Sequence, residues 1–171
     1  MKNFLPQQYK KDHKFKVKHN YLSKQFYDYK NILKDIEKVV KSNDFTLGSK
    51  VDEFEKLISK KLKAKFLVSV GSGTDALMLS LKALGIKEGD EVITTPFTFY
   101  ATIGAIVTSG AIPKFVDVKL DYNINEKLIE KAITKKTKAI MPVHWAGRVC
   151  EMKKISQISK KCKIPVVEDS C

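Results

Sequence analysis

The chain has 171 residues, 43% of them hydrophobic, and 32 basic against 19 acidic side chains, a net charge of +13. That length and composition suit one globular domain and exclude a disordered chain, and no apolar run approaches the roughly 20 residues of a bilayer span, so no membrane partner is expected. Cys150, Cys162 and Cys171 are odd in number and form no C-x-x-C pair, so neither a disulfide framework nor a zinc site is supported, and no metal is expected.

Residues 1–20 hold six lysines without hydrophobic periodicity and read as a basic arm. With no apolar core they are not expected to act as a secretory signal, and a cytoplasmic location is expected. From Asp28 the pattern turns helical, with Tyr29, Ile32, Leu33, Ile36, Val39 and Val40 at helical spacing. A connector with turn residues at both ends, Asn43 to Gly48, leads to a second helix with Val51, Phe54, Leu57, Ile58 and Leu62 on one face. Residues 21–64 are therefore expected to form a helical segment.

After Lys65 a strand–helix rhythm begins. The pattern predicts strands over Phe66–Val70, Glu91–Thr95, Lys114–Val118, Lys138–Val143 and Ile164–Glu168. Helices are predicted over Thr74–Leu84, Thr98–Ser109, Glu126–Ile133 and Cys150–Lys161, with Gly85 and Gly110 stopping the first two. Such alternation implies an α/β domain, a mainly parallel sheet with helices on both faces, over residues 65–171. Right-handed crossovers put the strand-to-helix loops on one edge, where ligands of such sheets bind. Those loops start at Gly71, Pro96, Asp117, His144 and Asp169.

Gly71-Ser72-Gly73-Thr74 joins a strand to a helix N-terminus. Its free N–H groups and small residues suit a phosphate, and the Thr74 hydroxyl adds a donor; a plain N-capped turn has the same sequence. Gly71, Gly73 and Ala76 also satisfy the dinucleotide fingerprint Gly-x-Gly-x-x-Ala. That fingerprint needs an acid at the end of the second strand, whereas Glu88, Asp90 and Glu91 come before it, which disfavours a dehydrogenase. The next loop carries Phe97, Phe99 and Tyr100, rings that either fill the core or stack on a planar ligand. The last strand ends in Glu168 and Asp169, which alternation sends to opposite faces. A carboxylate there could hold the protonated ring nitrogen of pyridoxal 5'-phosphate, or serve as a cap or ion pair. His144, beside Trp145, is a candidate pocket wall.

Taken together, Phe45-Thr46-Leu47-Gly48, Ser72-Gly73-Thr74-Asp75-Ala76-Leu77, Gly89-Asp90-Glu91-Val92-Ile93, Phe97-Thr98-Phe99-Tyr100-Ala101-Thr102, Gly110-Ala111 with Phe115-Val116-Asp117-Val118, Pro142-Val143-His144 with Gly147, and Val167-Glu168-Asp169 resemble the DegT/StrS sugar aminotransferases, in the family's order and spacing from about Leu22 onward. The resemblance implies a fold-type I pyridoxal-phosphate protein, homodimeric at full length. It implies that Gly73, Thr74 and the Asp75 backbone hold the cofactor phosphate, that Phe99 stacks on the pyridine ring and that Asp169 pairs with its nitrogen. Such enzymes pass an amino group, commonly from glutamate, to a nucleotide-linked keto sugar for polysaccharides and glycoconjugates.

In that family the Schiff-base lysine lies beyond the aspartate strand, further along than Cys171, and a small C-terminal domain follows. The 171 residues are thus expected to be an N-terminal portion, inactive alone. Lys65, Lys114, Lys138 and Lys163 precede strands and sit at the wrong edge; Lys119 follows a strand but lacks surroundings that would lower its pKa. Some relatives carry histidine in place of the lysine and dehydrate sugars, so that activity stays open. The rival from another class is a non-enzymatic polyanion binder, because residues 1–65 carry 17 lysines against 8 acids. Arg148, however, is the only arginine, and nucleic-acid readers lean on arginine, so no nucleic acid is expected.

Overall fold

The computed structural model describes residues 21–170; the basic arm read over residues 1–20 lies outside them. The chain divides between Leu67 and Val68 into two compact units. In the first, a single turn, α1 (Leu22–Gln25), leads to α2 (Tyr29–Ser42) and α3 (Ser49–Leu62). Asn43 takes the left-handed conformation that ends α2, a role its short polar side chain tolerates. The Asp44 carboxylate accepts from the backbone N–H and the hydroxyl of Ser49 and so holds the start of α3. Gly48 is required there by close approach, since a Cβ would lie 2.4 Å from the Asp44 carbonyl oxygen.

The second unit runs α4 (Gly73–Ala83), β1 (Glu91–Thr94), α5 (Tyr100–Thr108), β2 (Ile112–Phe115), α6 (Glu126–Ala132), β3 (Thr137–Ile140), a 3-10 turn (Trp145–Gly147) and α7 (Met152–Cys162). The sheet is parallel in the order β2-β1-β3. Residues 164–169 extend it beyond β3 through parallel bridges from Ile140 to Val166 and from Val143 to Asp169.

Alternation sorts the core into two layers. Val92 of β1, Ala139 of β3 and Val167 pack with Leu77 and Leu81 of α4 and Ala105 and Ile106 of α5. Their neighbours Ile93, Ile140 and Val166 pack on the other face with Ile129 of α6 and Ile155 of α7. Helices cover both faces of a parallel sheet, the α/β arrangement read from the sequence.

α4 and α5 end alike. In each, a left-handed glycine (Gly85, Gly110) donates to the carbonyl three residues back, and the next residue (Ile86, Ala111) donates to the carbonyl five residues back. This Schellman closure turns the chain back into the sheet and buries both following residues.

Three readings of the sequence need correction. Phe66–Val70 joins no ladder among the described residues, and Val68 stays 78% exposed; β propensity alone makes no strand without a partner. β2 starts two residues early, at Ile112, because Pro113 is tolerated on an edge strand of this sheet, and Lys114 and Lys138 lie within β2 and β3 rather than before them. β3 ends at Ile140, and the run from Ile164 forms only bridges, because Pro142 and Pro165 remove backbone donors from the ladder.

Candidate functional site

The rim at the carboxyl ends of the strands is built by four segments. α4 and α5 pack side by side. After α5, Gly110 abuts Glu88, which follows α4: a Cβ on Gly110 would lie 3.2 Å from the Glu88 nitrogen. The two C-termini therefore share the rim where β1 begins. At 1.5 Å per residue, helices of 11 and 9 residues bring both N-termini to the opposite rim, about 15 Å away.

At the start of α4, Ser72 is the N-cap. Its hydroxyl accepts from the Asp75 backbone N–H at 3.1 Å and lies 2.9 Å from the Asp75 carboxylate. The Asp75 N–H, read from the sequence as a phosphate donor, thus already has an acceptor. Ala76 N–H bonds the Ser72 carbonyl, and the N–H groups of Gly73 and Thr74 have no acceptor among the described residues. A side chain at Gly71 would close the approach, since a Cβ there would sit 3.0 Å from the Asp75 carboxylate.

Phe99 is the N-cap residue of α5 and is 74% exposed, with Tyr100 beside it similarly open. Phe97 instead turns into an aromatic cluster, its ring centroid 4.4 Å from that of Trp145 and 5.1 Å from that of Tyr122. Three successive rim loops each contribute one of these rings.

Asp169 is 5% exposed. Its backbone N–H donates to the Pro142 carbonyl, its carbonyl accepts from His144 N–H, and Thr102 of α5 donates to its Oδ2 at 2.6 Å. It forms no ion pair among the described residues. A buried carboxylate held this way suits a cationic ring N–H. Glu168 faces the other side and meets the buried His144, with Nε2 3.0 Å from Oε2. His144 Nδ1 accepts the Cys150 N–H, so the proton facing Glu168 sits on Nε2. Burial pushes the Cys150 thiol up, and its Sγ donates to the Val143 carbonyl.

Thr74, Phe99 and Asp169 therefore share one rim, with His144 on the sheet's far face at the same end. Lys119 lies in an ionic cluster, 3.2 Å from Glu126 and 3.7 Å from Asp121. Burial would pull its ammonium down, but the Glu126 carboxylate and the other nearby anions outweigh burial and raise it, the opposite of what a nucleophilic amine needs. Sequence reasoning passed over Asn123 and the Thr98–Thr102 pair. Asn123 reads as one more turn residue, and Thr102 as an ordinary helix position, until α5 is packed against residue 169.

The sequence profile of the DegT/DnrJ/EryC1/StrS aminotransferase family matches residues 27–171. The chain is 40% identical over 142 residues to the 3-oxo-glucose-6-phosphate:glutamate aminotransferase of Bacillus subtilis (strain 168), covering 82% of this chain and 32% of that protein. It is 41% identical over 141 residues to the dTDP-3-amino-3,6-dideoxy-alpha-D-galactopyranose transaminase of Aneurinibacillus thermoaerophilus, covering 82% and 39%. The crystal structure of NtdA from Bacillus subtilis with bound cofactor PMP superposes with a TM-score of 0.87 at 36% identity, over 95% of this chain and 38% of that one. The chain thus spans between about a third and two fifths of the length of these relatives. Matched over most of its own length by that profile, the chain belongs to the DegT/DnrJ/EryC1/StrS aminotransferase family.

Proposed function

We propose that these residues form the cofactor-holding part of a pyridoxal-phosphate-dependent aminotransferase that passes an amino group, from glutamate, to a nucleotide-linked keto sugar. The observation that carries the reading is the pairing, on one rim, of acceptor-free N–H groups at Gly73 and Thr74 with the buried carboxylate of Asp169. The name of the Aneurinibacillus relative supports a nucleotide-linked sugar, and that of the Bacillus subtilis relative supports a keto sugar as acceptor and glutamate as donor.

When bound, pyridoxal phosphate supplies the electron sink for moving the amino group. The residues do the rest. Gly73 and Thr74 N–H, with the Thr74 hydroxyl, would hold the phosphate at the positive end of α4. Asp75 adds backbone to the same turn, Phe99 offers an exposed ring to cover the cofactor plane, and His144 braces the loop behind. Asp169 would accept the ring N–H and hold that proton in place. The cofactor-bonding lysine of the full-length enzyme lies, on this reading, C-terminal to Cys171; that enzyme works as a cytoplasmic homodimer, and residues 1–171 alone do not turn over.

The test uses the full-length enzyme. Absorbance titration with pyridoxal phosphate should show saturable binding, weakened about 10- to 100-fold in Thr74→Ala and in Asp169→Ala, the range of one charge-assisted hydrogen bond. Glutamate should then convert the cofactor to its amine form, and a dTDP- or UDP-linked keto sugar should convert it back. Wild-type affinity in both variants would refute the reading.

A further inference from the structure

We propose that Thr98 and Thr102 form a one-way hydroxyl relay that positions Asp169 for the cofactor's ring nitrogen, which makes Thr102 a positioning residue for the reaction; this rests on the functional reading above. Three hydroxyls of the α5 segment show the contrast. Thr108 and Ser109 bond carbonyls four residues back in their own helix, the usual habit of helical hydroxyls. Thr102 turns away from its helix and donates to the Oδ2 of Asp169, 67 residues further along the chain.

A threonine hydroxyl has one hydrogen. With that hydrogen on Asp169, Thr102 can only accept from Thr98, whose Oγ1 lies 2.7 Å away. The order is therefore fixed: Thr98 donates to Thr102, and Thr102 donates to Asp169. Thr102 is fully buried, so no water substitutes for it.

The geometry leaves Asp169 one free function. Its main chain is pinned on both sides by Pro142 and His144, and Oδ2 is taken by Thr102. Oδ1 has no hydrogen bond among the described residues and is not sealed off as the buried Glu126 Oε2 is. The relay thus fixes the carboxylate rotamer and leaves Oδ1 to take the ring N–H.

The test compares Thr102→Val, which keeps shape and removes the hydroxyl, with Thr102→Ser and Thr98→Val in the full-length enzyme. Thr102→Val should weaken pyridoxal phosphate binding about tenfold and move the pH titration of the bound cofactor's visible band. Thr102→Ser should restore both to within about twofold, and Thr98→Val should give a smaller loss in the same direction. Wild-type affinity and titration in Thr102→Val would overturn the relay. If Thr102→Val does not fold, Thr98→Val and Thr102→Ser decide: an unshifted titration in Thr98→Val overturns it. A wild-type enzyme that fails to bind the cofactor defeats the functional reading itself, whereas a binding wild type with an indifferent Thr102→Val defeats the relay alone.

Discussion

Asn123 shows how much one buried amide can hold. Its Oδ1 accepts the Trp145 N–H at 3.1 Å, and its Nδ2 donates to the carbonyls of Arg148 at 3.1 Å and Val149 at 3.3 Å. Every side-chain bond goes to the loop between β3 and α7, which also carries the His144 ring, and Ala146 in that loop takes a left-handed conformation that needs outside support. Asn123→Ala would strand one N–H and two carbonyls and should cost about 2–4 kcal/mol in urea unfolding. Asn123→Asp should cost a similar amount, because a carboxylate cannot donate to either carbonyl and sets like partial charges against them. An Asp variant as stable as wild type would mean that shape alone holds the loop.

At the scale of elements, the sequence was readable wherever a pattern is local. Val92 and Ile93 predict a strand buried on both sides, and the two core layers divide between them. Gly85 and Gly110 mark helix ends that close as Schellman turns. The two chief site segments were legible for the same reason: Gly71 to Thr74 lies within one turn, and Asp169 stands at the end of one apolar run. What could not be read depends on partners distant in sequence. Thr102 gains its meaning from a residue 67 positions away, and the run from Ile164 loses its ladder to Pro142 on another strand. Phe66–Val70 has the composition of a strand and joins no ladder among the described residues. Truncation separates the two cases. Ile140→Ala, in the centre of a core layer and fully buried, should lower unfolding stability by about 2–5 kcal/mol. Val68→Ala, at a site 78% exposed, should stay within about 0.5 kcal/mol of wild type, and a large loss there would show that the run is buried against something.

Across the whole molecule a charge of +13 makes acid the sensitive direction, since each carboxylate protonated adds to the self-repulsion. One carboxylate stands out. Glu126 opens α6, is almost fully buried, and meets Lys154 of α7 at 3.1 Å and Lys119 of the preceding loop at 3.2 Å, so it ties three segments of the second unit. The contact with Lys119 is ionic rather than a well-aligned hydrogen bond, which leaves Oε2 dependent on that charge. Burial pushes the Glu126 carboxyl up, but its own backbone N–H and the two lysines outweigh burial and hold it at about 2, against an ordinary 4.5. A group held down in the folded state stabilises above its unfolded value and loses that contribution as pH falls toward the folded one. The stability Glu126 supplies is therefore complete above pH 4.5 and lost between 4.5 and about 2. It amounts to at most about 3 kcal/mol, less what water screens around the half-exposed Lys154. Glu126→Gln should thus unfold at a lower temperature than wild type at pH 7, and the two melting curves should converge as the pH approaches 2. Added salt should relieve the general repulsion in both proteins alike and leave the convergence intact. A gap between wild type and Glu126→Gln that persists unchanged to pH 2 would mean that the cluster contributes through shape and packing, with its charge stabilising nothing.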